Sequence, residues 1–170
     1  MKFEFFKFIN KNFFVPIVAI FLTLEPIKGF AFDFDYDEAG LYSEFISSLS
    51  QNLNGIKKGK FCVFGNDQIS KSILLTYNQA MEVNDDLKNI ELCNIVYVAT
   101  NKQKTFKFIG SKFMENKIVT IANYNGFSLD ENSMIEIQLG RRNFELLVNR
   151  KNLKANNIRL SPVISNLVIN

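Results

Sequence analysis

The sequence predicts an α/β fold: one domain in which a mixed, mostly parallel sheet is flanked by helices and ends in a C-terminal β-hairpin. Three observations predict it. Strand-like and helix-like runs alternate from Phe61 to Ile121, the pattern that gives parallel strands joined by right-handed crossovers. Two later strand-like runs, Met134–Leu139 and Phe144–Asn149, are separated only by Gly140-Arg141-Arg142-Asn143, a hairpin signal. The length of 170 residues, 47% apolar and 22% charged, suits one packed core and is too short for two.

The chain opens as an export signal. Lys2, Lys7 and Lys11 supply positive charge, an apolar run follows from Phe13 to Leu24, and Gly29-Phe30-Ala31 places small residues where a signal peptidase requires them. The run is 12 residues long, whereas a bilayer core takes about 20 residues of helix to cross. The expected organisation is therefore a signal peptide over 1–31, cleaved after Ala31, and an α/β domain over 32–170 that resides in the periplasm. The alternative is an uncleaved anchor or a buried helix. Four of the 20 Lys and Arg (Lys2, Lys7, Lys11, Lys28) and two of the 17 acids (Glu4, Glu25) precede residue 32, leaving 16 cations against 15 anions in the mature domain. Such a balance argues against nucleic acid, whose binding grows with clustered Lys and Arg.

The elements follow in order. Asp33 to Glu38 reads as an acidic, irregular lead-in. Leu41, Phe45, Leu49 and Leu53 recur every four residues as the apolar stripe of a helix, closed by Gly55 and the basic Lys57, Lys58 and Lys60. Phe61-Cys62-Val63-Phe64 is apolar on successive residues, as in a strand covered on both faces. Gly65-Asn66-Asp67 turns the chain into a helix from Gln68 to Asn78, with Asp67 as N-cap. After a short segment at Ala80–Val83, Cys93 leads into a second buried strand, Ile95–Ala99. A helix over Lys102–Lys112 and a third strand, Ile118–Ile121, precede the turn Asn123–Gly126. Beyond the hairpin come a short helix at Arg150–Ala155 and an apolar tail, Ile158–Ile169.

The two cysteines of the mature domain, Cys62 and Cys93, form an even count in an oxidising compartment, which predicts a disulfide. Two buried free thiols are the alternative. No catalytic, metal or cofactor site is expected. The chain has no His, which removes the usual general base and leaves fewer ligands than structural zinc requires. Gly65 to Ser72 would approach a phosphate-binding loop if position 70 were Gly, but it is Ser. Asp33, Asp35, Asp37 and Glu44 echo a calcium loop, yet Glu38 stands where that loop needs Gly. Glu136 and Glu145 are expected to point from the hairpin into solvent, as strand alternation suggests.

An ordered set of residues resembles the YfiR family of small periplasmic proteins. It comprises Phe61-Cys62-Val63-Phe64-Gly65-Asn66-Asp67, Cys93-Asn94-Ile95-Val96-Tyr97-Val98 and Ile118-Val119-Thr120-Ile121-Ala122. Gly126-Phe127 and Met134-Ile135 follow, then Phe144-Glu145-Leu146 with Val148-Asn149, and finally Ile158-Arg159-Leu160-Ser161. The Trp-Pro pair expected near Gln51 to Gly55 is missing, as is a second cysteine pair, and Pro162-Val163 interrupts the closing segment. The resemblance implies a non-enzymatic repressor that binds the periplasmic domain of an inner-membrane diguanylate cyclase and keeps cyclic di-GMP signalling, and with it biofilm formation, low. It also implies a redox link through the Cys62–Cys93 bridge. A homodimer is a second expected assembly. Leu160, Ile164 and Leu167 of the tail are the candidate partner-binding residues, with core packing as their rival role. Two other functions remain open: a small-molecule receptor, since an open α/β sheet offers a crevice at the carboxyl ends of its strands, and an exported enzyme of unknown chemistry.

Overall fold

The computed structural model describes residues 34–141 and 143–169; the expected signal peptide lies outside them. Helix α1 spans Phe34–Gln51, so Asp35, Asp37 and Glu38 of the lead-in expected to be irregular already belong to its first turns, where the helix dipole favours negative charge, and Asp33 lies outside the described residues. Its buried side is Ala39, Tyr42, Ile46 and Leu49, whereas Leu41 is 49% exposed and Leu53 lies beyond the helix. A strict spacing of four drifts about 40° per step around a helix of 3.6 residues per turn, so the expected stripe leaves the core face; alternating steps of three and four stay on it. The helix also ends before Gly55 and the lysines expected to close it. Gly55 instead adopts a left-handed conformation (φ 87°) against the Asn157 carbonyl, where a Cβ would collide.

Two short strands, β1 (Leu53–Asn54) and β8 (Arg159–Leu160), then pair antiparallel and tie the tail to the end of α1. The main sheet holds β2 (Lys60–Phe64), β3 (Met81–Val83), β4 (Cys93–Val98), β5 (Val119–Ala122), β6 (Ile135–Leu139) and β7 (Phe144–Val148) in the order β3-β2-β4-β5-β6-β7. All neighbours are parallel except β6 and β7, the expected hairpin. The segment at Ala80–Val83 is thus a strand, the sheet's edge, paired with Cys62–Phe64.

Helices cover both faces, as buried parallel strands require. Helix α2 (Gln68–Thr76) stops two residues short of the expected end, and α3 (Gln103–Glu115) runs three beyond it after a 3-10 turn at Thr100–Lys102. Strand alternation sorts the core. Val63, Ile95, Tyr97, Val119, Ile121, Ile135, Ile137 and Leu146 face α1 and α2, joined by Leu153 of α4 (Arg150–Ala155) and Ile164 of α5 (Pro162–Ser165). Cys62, Phe64, Val96, Val98 and Ala122 face α3, packing with Phe106, Phe113 and Phe127. Phe106 lies 5.6 Å from Phe113 and 5.1 Å from Phe127 between ring centroids, and burying each ring contributes about 1.5–3 kcal/mol. Asn152 fastens α4 to the loop before β6, donating at 2.7 Å to the carbonyls of both Glu131 and Ser133.

Candidate functional site

Three regions carry the residues singled out by sequence. The first is the pair Cys62 and Cys93, which form a disulfide across the adjacent parallel strands β2 and β4, with Cα atoms 5.8 Å apart. Both residues are fully buried under α3. The bridge closes a loop across 31 residues, which in the chain-entropy account is worth about 3–4 kcal/mol.

The second region is the crevice at the carboxyl ends of β2 and β4. From β2 the chain passes to β3 on one side and then crosses to β4 on the other, making this the topological switch point where open α/β sheets bind ligands. Here the chain fills it with its own groups. Asp67 caps α2, accepting from Ser70 N–H and Ser70 Oγ–H, both at 2.8 Å. Its other oxygen accepts from the Thr100 N–H at 3.2 Å and from the Tyr97 hydroxyl at 2.9 Å. Asn101 donates to Asn66 across the gap, and Lys102 pairs with Asp85 at 2.6 Å while lying 5.3 Å from the Phe64 ring centroid. Gly65, at φ 117°, is held so closely that an added Cβ would lie 2.6 Å from the Ala99 Cβ. Burial pushes the Tyr97 phenol far above its ordinary pKa, and the Asp67 carboxylate adds to the rise.

The hairpin carboxylates need a correction. Glu145 is partly exposed, but Glu136 is 1% exposed. It accepts from Ser128 N–H at 2.9 Å, Ser128 Oγ–H at 2.8 Å and Gln138 Nε2 at 2.6 Å. Alternation does place it opposite Ile135 and Ile137, yet that side is roofed by the 3-10 turn Phe127–Leu129, which sequence periodicity cannot reveal. Burial, with Asp130 and Glu136 as neighbours, also raises the Tyr124 phenol.

The third region is the C-terminal tail. Leu160 pairs with Leu53, Ser161 donates its N–H to the Asn52 carbonyl at 2.9 Å, and Leu146 and Leu167–Ile169 exchange backbone bonds at 2.9 Å. The tail therefore covers part of the outer edge of β7, satisfying groups that would otherwise invite pairing with another chain. Ile164 is 3% exposed and belongs to the core, while Leu160 and Leu167 are half-buried against it. Val163 between them is 70% exposed.

The family model described as YfiR/HmsC-like matches residues 44–168, from the middle of α1 through the tail. The chain belongs to the YfiR/HmsC-like family. Among curated proteins, none matches it. All three regions fall inside the YfiR/HmsC-like match, including both cysteines, Asp67 and the tail residues Leu160, Ile164 and Leu167. What sequence reasoning missed in this YfiR/HmsC-like domain are the distant partners of Asp67, namely Tyr97 and Thr100, 30 and 33 residues further along the chain, and Asn123, whose side chain lies 2.8 Å from the Tyr97 hydroxyl. The only local signal was an unusual one, a Tyr inside an otherwise aliphatic buried strand, which needs a hydrogen-bond partner when covered.

Proposed function

We propose that this protein is a periplasmic, non-enzymatic repressor that binds the sensor domain of an inner-membrane diguanylate cyclase and lowers cyclic di-GMP signalling. Membership of the YfiR/HmsC-like family over residues 44–168 carries the reading. The Cys62–Cys93 bridge supports it, because disulfides persist in an oxidising compartment such as the periplasm. Export requires the signal peptide over 1–31 and cleavage after Ala31, leaving 32–170 as the working domain. N-terminal sequencing of the periplasmic protein tests that step: a first residue of Phe32 supports it, and recovery of an intact Met1 defeats it.

A binder controls a two-state enzyme only through its difference in affinity for the two states. Moving a population from 1:99 to 99:1 takes roughly 10⁴-fold preference, about 5.5 kcal/mol. The surface proposed for that contact is the tail face, where Leu160 and Leu167 offer apolar area and Ile164 anchors them from beneath. A homodimer would present two such faces, a state to be read by sedimentation. The crevice at the switch point, where a small-molecule receptor would hold its ligand, is bridged by Asp67, Tyr97, Asn66 and Asn101.

The decisive experiment is co-purification of the exported chain with the periplasmic domain of a diguanylate cyclase from the same organism, followed by measurement of cyclic di-GMP with and without the chain. A stable complex and reduced cyclic di-GMP are expected. Absence of any complex with each such cyclase would overturn the proposal.

A further inference from the structure

Beside the tail a groove of about 630 Å³ opens between α4, the loop after it and β8, within the size range of clefts that hold ligands. Its floor is apolar, made by Val148, Leu153, Ile158, Leu160 and Val168. Its walls carry Arg150 and Lys154, one helical turn apart on α4, and Arg159 from β8. Among the described residues no carboxylate side chain lines it. That local bias stands out in a domain with 16 cations and 15 anions after residue 31. Lys154 and Arg159 are both exposed, and neither forms an ion pair with a described carboxylate. Arg150 has an interaction of its own within the fold, so recognition is assigned to the other two.

We infer that this groove docks an acidic, apolar segment of a protein partner, its carboxylates meeting Lys154 and Arg159 and its apolar side chains lying on the Val148–Leu160–Val168 floor. Charge complementarity selects the carboxylates, and the floor supplies the desolvated contact that most interface energy comes from. A membrane surface fits less well, since anionic headgroups are met by clusters of about four to eight cations, and three line this groove. The inference extends the repressor reading only in naming the partner: on that reading the segment belongs to the cyclase sensor domain.

The test has two arms. In the first, the mature chain is titrated by NMR with acetyl-Glu-Leu-Glu-Phe-Glu-Leu-amide and with its Gln-for-Glu analogue. Saturable shifts at Val148, Leu160 and Val168 are expected, absent with the neutral peptide and weakened about tenfold by K154E/R159E, a pair of exposed sites where the melting curve should stay unchanged. No saturable shift, shifts centred elsewhere, or indifference to the charge reversal would overturn the inference. So would groove-dependent binding to phosphatidylglycerol vesicles in place of the peptide. In the second arm the same variant, and K104E/K107E on α3 as control, are tested against the sensor domain. Selective loss with K154E/R159E supports the assignment, and equal loss with both variants overturns it. If the wild type ignores the cyclase but holds the peptide, the repressor reading fails and the groove stands; if K154E/R159E binds the cyclase like wild type, the groove's role there fails and the repressor reading stands.

Discussion

The hydroxyl of Tyr97, fully buried on the central strand β4, sits 2.9 Å from the carboxylate of Asp67, which opens helix α2 from 30 residues earlier in the chain. The same hydroxyl lies 2.8 Å from the Asn123 side chain. Both facing atoms are acceptor oxygens, so the phenol's one hydrogen is shared between the Asp67 carboxylate and the Asn123 amide oxygen. Three strand ends are thereby joined through one phenol.

Removing that phenol therefore strands its partners. Tyr97→Phe should cost about 1–3 kcal/mol, because Asp67 loses a buried donor and nothing replaces it. Asp67→Ala should cost more, since the helix cap, itself worth about 0.5–2 kcal/mol, is lost as well. Denaturant unfolding of both variants checks the order; an unchanged Tyr97→Phe midpoint would show that the tyrosine bond contributes nothing, and equal losses would show that the cap adds nothing.

The raised phenols of Tyr97 and Tyr124 have a consequence for pH. Their folded-state pKa values lie above the unfolded value of about 10, so the stability they contribute is fully present below that pH and declines as pH rises past it. Phenolate absorbance should show these two tyrosines staying protonated until the protein unfolds in alkali. Early titration of both would contradict the buried geometry.

Reduction of the disulfide should lower stability by about 3–4 kcal/mol, matched by the Cys62→Ser/Cys93→Ser variant. Because both sulfurs are fully buried, reductant should act slowly on the native protein and much faster in denaturant. If the bridge regulates the partner, affinity falls in parallel with stability; an unchanged affinity leaves it a structural staple.

Glu136→Ala should cost about 1–3 kcal/mol by leaving the Ser128 donors and Gln138 unmatched, whereas Glu145→Ala should stay within about 0.5 kcal/mol. Thermal melts of the pair separate the buried carboxylate from its half-exposed neighbour.

Thr120 offers a change of opposite sign. Its hydroxyl is buried on β5 with no hydrogen-bond partner among the described residues. Thr120→Val keeps the shape and removes the unpaired group, so stability should rise by about 1 kcal/mol. A lower melting temperature would mean the hydroxyl does find a partner.

Much of this was legible in local pattern. Successive apolar residues at Cys62–Phe64 and Ile95–Val98 marked strands covered on both faces, and the α/β order followed from their alternation with helices. The Asp67 cap was readable because capping acts over three residues. The three-residue edge strand Met81–Val83 was not read as a strand, since so short a run carries no period of its own and exists only through pairing with β2. The first helix misled for a different reason: a strict i+4 stripe drifts around the helix, so of the expected set only Leu49 lies on the true 39-42-46-49 face and Leu53 belongs to β1.

The chain by itself determined the order of the longer strands and helices, which two sulfurs could meet, and the family to which it belongs. Tertiary structure alone decided that Glu136 is roofed over, that Tyr97 closes the switch-point crevice, and that Lys154 and Arg159 flank one apolar floor. Periodicity reports the side of an element a residue occupies, a property of neighbours within one turn or one pleat. What lies opposite that side comes from segments tens of residues away, brought there by burial that has no period.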